Sequence, residues 1–116
     1  ERERERMIKE YDLIQENANI FVQNKDLGEY FEKTASELAL QVDKEKFREA
    51  LKIAVNYITT DLQGLLKEVG AAGEDFRITP ENFAEFVSLI HNKILSSKTA
   101  KQTLQEMFQT GIILGF

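Results

Sequence analysis

Ile78-Thr79-Pro80-Glu81-Asn82-Phe83-Ala84-Glu85-Phe86-Val87, continuing through Ser88-Leu89-Ile90-His91-Asn92-Lys93-Ile94-Leu95 and Ser96-Ser97-Lys98-Thr99-Ala100-Lys101 to Met107, Phe108 and Gly111, is the stretch on which the fold turns. Thr79 offers a hydroxyl to the backbone N–H groups that a helix start leaves unpaired, and Pro80 falls where a missing N–H costs nothing. Phe83, Phe86, Val87 and Ile90 then recur at helical spacing. Ser96 or Ser97 supplies a second cap, Ala100, Leu104, Met107 and Phe108 form a second apolar stripe, and Gly111 is placed to end it in a left-handed turn. The spacing predicts two helices joined as a hairpin.

Working back from the hairpin, Gly70-Ala71-Ala72-Gly73-Glu74-Asp75 reads as a linker. Before it, Phe47, Ala50, Leu51, Ala54, Val55, Ile58, Leu62, Leu65, Leu66 and Val69 predict one long helix from about Lys44, opened by Asp43. The same pattern fits a coiled-coil seam and hence a homodimer, but Ile53 and Tyr57 widen the apolar face beyond a seam, which favours burial in a bundle. Asn56 lies beside that face, either as an amide paired with backbone at the core edge or as a contact to a neighbouring domain. Leu27, Tyr30, Phe31, Ala35, Leu38 and Ala39 predict a further helix capped by Asn24 or Asp26, with Gly28 inside it read as either a close helix contact or simple tolerance, the latter preferred. A short helix is expected over Gln15 to Gln23, with a break in the Asn17 to Asn19 region. Glu1 to Arg6 alternates Glu and Arg and reads as a solvated connector.

The fold class is therefore all-α, a helical bundle with a long central helix followed by a C-terminal helix hairpin. The expected organisation is an N-terminal helical lobe over 1–69, the linker over 70–75 and a hairpin lobe over 76–116. The sequence opens on Glu and ends on the apolar Ile112-Ile113-Leu114-Gly115-Phe116, so it reads as a piece of something longer, cut before a C-terminal tail domain.

Composition narrows function. The absence of cysteine rules out disulfides and thiolate metal sites. No apolar run approaches the ~20 residues of a membrane span. The charged start lacks the apolar region of a signal peptide. With 15 Lys and Arg against 20 Asp and Glu, the net charge of −5 argues against a dedicated nucleic-acid binder. Distribution cuts the other way. Between Glu85 and Glu106 there is no acid, while His91, Lys93, Lys98 and Lys101 all fall in that window. These lysines, beside a helix start capped by Ser96 or Ser97, are the candidate phosphate contacts, with no interleaved aromatics for base stacking. His91, the only histidine, has no placed serine or acid to join it and is expected either exposed or at the C-terminal end of a helix. Scattered acids and the lack of a glycine-rich phosphate loop leave no catalytic residue and no metal site in prospect.

The run Ile78-Thr79-Pro80-Glu81-Asn82, the pair Leu89-Ile90, and Ser97-Lys98-x-Ala100-Lys101 followed by Met107 and Gly111 resemble the helical domain, of GatB/YqeY type, of the B subunit of the aspartyl/glutamyl-tRNA(Asn/Gln) amidotransferase family. Asn56-Tyr57 with Asp61-Leu62 and Leu65-Leu66 is similar to that family's Asn-Trp helix, and Leu27-Gly28-Glu29-Tyr30-Phe31-Glu32 to its Leu-Ala-Asp-Tyr-Phe-Glu segment. Tyr57 stands where the family has tryptophan, a modest change on a face expected to be buried, and Asn92-Lys93 lacks the glycine often found in the turn. The resemblance implies a non-catalytic domain in a cytoplasmic or organellar ligase that amidates misacylated Glu-tRNA(Gln) or Asp-tRNA(Asn). It implies ATP and magnesium for the full complex and the A and C subunits and tRNA as partners, with no membrane or DNA; Ser97, Lys98 and Lys101 carry over as family-like positions, and together with Lys93 from the charge pattern they are the candidate tRNA contacts. The competing reading is a stand-alone helical protein–protein adaptor with Ile112 to Phe116 as an exposed apolar end.

Overall fold

The structure, a computed structural model, describes residues 2–64 and 78–111. The expected linker at Gly70 to Asp75, the helix positions Leu65, Leu66 and Val69, and the apolar end Ile112 to Phe116 lie outside the described residues. What is described is all-α: α1 (Arg2–Tyr11), α2 (Gln15–Gln23), α3 (Lys25–Gln41), α4 (Phe47–Tyr57), α5 (Pro80–His91) and α6 (Ser97–Thr110). A 3₁₀ turn at Lys44–Lys46 precedes α4 and a π-helical turn at Ile58–Leu62 continues it.

α3 and α5 form the most extensive helix pair, and α4 packs on both. Residues from before and after the undescribed stretch share one core, including Phe31, Leu38, Ala54, Ile58, Phe83 and Phe86, all fully buried. The chain's recurring apolar face on α4 and the following turn, Ala50, Leu51, Ala54, Val55, Ile58 and Leu62, is consumed inside this core. Among the described residues it leaves no seam for a coiled-coil partner.

The chain turns between α1 and α2 at residues 12–14, where Asp12 takes a left-handed conformation with φ of 57°. The break expected around Asn17 to Asn19 is not there; those residues lie within α2. Aspartate is one of the few side chains that tolerates a left-handed backbone, which is why the break falls on it. Asn24 then ends α2 and caps α3, its Oδ1 accepting the Leu27 N–H at 3.2 Å. With no residues to spare, α2 and α3 meet at once, and Phe21 stacks on Phe31 with ring centroids 4.5 Å apart.

This tight elbow explains Gly28. A Cβ at that position would stand 2.6 Å from the backbone carbonyl oxygen of Phe21. The glycine is therefore required by close helix approach, one of the two readings the sequence offers and not the preferred tolerance. Ala39 also departs from expectation: it is exposed, and the buried stripe of α3 runs through Thr34, Ala35 and Leu38.

Tyr30 of α3 holds the start of α5. Its buried phenol donates to the carbonyl of Ile78 at 2.8 Å, with the Thr79 carbonyl at 3.4 Å. Burial pushes this phenol far above its ordinary value. Raised above its unfolded value of about 10, it contributes stability in full below pH 10 and loses that contribution as pH climbs beyond. On the other side of α3, Tyr11 donates to Glu32 at 2.9 Å, and burial, then that carboxylate, push its phenol up to about 12. Arg6 links Glu3, Glu10 and Glu32, but on an exposed surface that adds little.

α4 is not the uninterrupted helix expected from Lys44. Asp43 makes no side-chain cap, so the first turn is 3₁₀. At the other end the Thr59 and Thr60 hydroxyls donate to the carbonyls of Val55 and Asn56, at 2.8 and 2.5 Å. Ile58-Thr59-Thr60 is a β-branched run whose hydroxyls compete with the backbone for these acceptors, which fits the wider π turn seen there.

Replacing Gly28 by alanine separates the two accounts of this residue. Helix propensity alone would stabilise by about 1 kcal/mol. Overpacking against the Phe21 carbonyl should instead destabilise by about 1–3 kcal/mol, read by urea unfolding.

Candidate functional site

α5 and α6 begin with the caps expected of them. Thr79 Oγ1 accepts the Asn82 N–H at 3.1 Å, with Pro80 at the first helical position. Ser96, and not Ser97, caps α6, accepting the Thr99 N–H at 3.3 Å. Gly111 ends α6 with φ of 83°, its N–H on the Met107 carbonyl. The carboxamide of Asn82 donates to the Gly111 carbonyl at 2.6 Å, tying the start of α5 to the end of α6. The residues that stand out in the sequence as Thr-Pro-Glu-Asn and a distant glycine are thus two ends of one clamp.

The turn between the helices is set by Lys93, which occupies a left-handed conformation with φ of 62°. Ile94 N–H reaches the Leu89 carbonyl at 2.9 Å and Lys93 N–H the Ile90 carbonyl at 3.0 Å. This pair of bonds is the Schellman helix ending, in which the left-handed position is normally glycine. The missing glycine does not change the turn geometry; lysine adopts it at a cost.

His91 is the last residue of α5, at the helix end as expected, but it is not exposed. Its side chain is only 10% exposed, and Nε2 meets Glu49 Oε2 of α4 at 3.1 Å, while Nδ1 is buried without a partner. Packing of α5 onto α4 encloses the ring, so the histidine joins two helices instead of contributing to the exposed basic surface.

The four residues expected near RNA all lie on the turn and the first turn and a half of α6. Lys93, Ser97, Lys98 and Lys101 are exposed. Among the described residues none of the three lysines is in an ion pair. Ser97 and Lys101 also line a groove of about 370 Å³, walled by Ile90 of α5 and by Ile53, Asn56, Tyr57, Thr60 and Asp61. Those five positions of α4 and the π turn recur at 3 and 4 residues, so they form one face. Tyr57 is only half-buried, not enclosed as expected, and its ring meets Phe86 edge-on at 5.4 Å. Burial, then the Asp61 charge, push its phenol up. Asn56 is exposed and borders both this groove and a smaller hollow that reaches Tyr11 and Ile14.

The sequence reading missed Tyr57, Thr60 and Asp61 as neighbours of the lysines. The signal it held was the excess width of the α4 apolar face, because Ile53 and Tyr57 are more than the core needs.

The family model described as "GatB domain" matches residues 29–112. The chain belongs to the GatB domain family. Among curated proteins, this GatB domain is 35% identical over 107 residues to the B subunit of an aspartyl/glutamyl-tRNA(Asn/Gln) amidotransferase from Rickettsia rickettsii, covering 92% of the chain and 20% of the relative. It is 30% identical over 114 residues to the protein of the same name from Caldicellulosiruptor bescii, covering 96% of the chain and 22% of the relative. It therefore spans about a fifth of the length of the curated relatives it matches. The matched region takes in both helix caps, the Asn82–Gly111 clamp and every residue of the groove.

Lys93→Gly tests the turn directly. Relief of the left-handed lysine outweighs the extra freedom glycine gives the unfolded chain, and stability should rise by about 0.5–1 kcal/mol in thermal or urea unfolding. A loss of stability would mean that the Lys93 side chain makes a compensating contact.

Proposed function

We propose that this GatB domain is a non-catalytic helical arm of the B subunit of a tRNA-dependent amidotransferase, helping to position misacylated Glu-tRNA(Gln) or Asp-tRNA(Asn) for amidation elsewhere in the enzyme. The observation that carries the reading is the exposed set Lys93, Lys98 and Lys101, unpaired among the described residues, on and just after one hairpin turn. In a chain of net charge −5, cations concentrated on one acid-free segment give a polyanion a single preferred approach. Contacts of this kind hold the phosphate backbone and orient it without reading sequence. The relatives' names supply the substrate class, and the A and C subunits would be the protein partners in the cytoplasm or an organelle.

ATP and magnesium belong to the full reaction under this reading. Among the described residues no group of three or more histidines and acids could hold a metal ion, and no step is routed through this chain. The adaptor alternative requires a contiguous apolar face. Among the described residues the large exposed apolar side chains are Ile14, Leu40 and Ile94, which sit singly on three separate parts of the chain; Ile112 to Phe116, on which the adaptor alternative rests, lie outside the described residues.

Titrating the chain with unfractionated tRNA at two salt concentrations, beside the triple variant K93Q/K98Q/K101Q, tests the proposal. Binding should weaken with salt, and the variant's log–log salt slope should be shallower by about 2, as expected for losing about three phosphate contacts. No binding at low salt, or equal binding by the variant, would contradict it.

A further inference from the structure

Resting on the RNA reading above, the geometry points to a more specific task for the groove between α4, α5 and α6: it takes one unstacked nucleotide, its base against Tyr57 and Ile90 and its phosphate on Lys101. The groove's volume of about 370 Å³ lies at the small end of the range for ligand pockets, roughly 300–1,000 Å³. Its lining divides by chemistry. Tyr57, Ile90 and Ile53 offer an aromatic and apolar surface, which an unstacked base needs and a phosphate does not. Lys101 enters the same groove, and the exposed Lys98 lies three residues before it on α6. A strand held along these lysines would pass a hollow able to receive a base.

Asp61 decides which base. A carboxylate beside a phosphate would repel it, so a groove built for phosphate alone should not contain one. As an acceptor it suits an exocyclic amino group, as on cytosine or adenine, and it rejects the carbonyl that uracil presents in the same place. The groove should therefore prefer an amino-bearing base over uracil.

Tyr57→Trp provides the probe, because the chain has no tryptophan and the new indole would report from the groove alone. Its emission should be quenched by tRNA, by CMP and by AMP, less by UMP and not by ribose 5-phosphate. Asp61→Asn should abolish the difference between CMP and UMP. Tyr57→Leu should bind tRNA about tenfold more weakly with an unchanged salt slope, since stacking and not charge is lost. Tyr57→Phe should bind as the unmutated chain does, and unchanged circular dichroism in the leucine variant separates lost stacking from lost folding. The inference is overturned if tRNA binds in a lysine-dependent way while the indole emission does not move and Tyr57→Leu binds normally. That result leaves the arm function standing and frees the groove for a protein segment. Equal quenching by ribose 5-phosphate also overturns it. Absence of any tRNA binding removes the RNA reading and this inference together.

Discussion

The rest of the domain depends on where α5 enters the core, and the Tyr30 phenol fixes that point. It is buried on α3 and donates to the Ile78 carbonyl, one residue before the Thr79 cap. A buried hydroxyl or carbonyl left without a partner costs about 1–3 kcal/mol, so any other entry position for α5 would carry that penalty at both ends of the bond. From Tyr30 the rings run on. Tyr30 lies 5.9 Å from Phe83, Phe83 5.8 Å from Phe86, and Phe86 5.4 Å from Tyr57. A single run of aromatic packing thus joins α3 through α5 to α4, and it ends at the wall of the groove.

The groove follows from this placement. Once α5 is seated, its last turn brings His91 against Glu49 and Ile90 opposite Tyr57. The Schellman ending at Lys93 then returns the chain so that α6 starts beside the π turn, with Ser97 and Lys101 facing Thr60 and Asp61. Asn82 closes the far end on Gly111. The lysines and the aromatic wall come from segments some forty residues apart, held together by core contacts and not by local geometry.

Local chemistry was legible in the sequence and crossings were not. Thr79 as a cap, Asn24 and Ser96 each as one of two cap candidates, Gly111 as a left-handed end, and the span of α2 follow from residue types acting on their own backbone. Gly28 could not be read that way, because its reason is the Phe21 carbonyl seven residues earlier across an elbow. The π turn depends on two threonine hydroxyls choosing carbonyls over water. His91 is enclosed by a helix whose arrival no local pattern announces. The lysine patch was visible as an acid-free window, but the groove beside it needed α4 and α6 to be brought together.

The most direct test of the central claim is native-state amide hydrogen exchange on Tyr30→Phe beside the unmutated chain. If the phenol sets the entry of α5, protection should fall first and most at the start of α5, from Asn82 to Phe86, and then at Tyr57, with α1 and α2 little changed. Uniform loss across all helices, or none, would contradict the account, since the bond would then be one contact among many and not the point from which the groove is positioned.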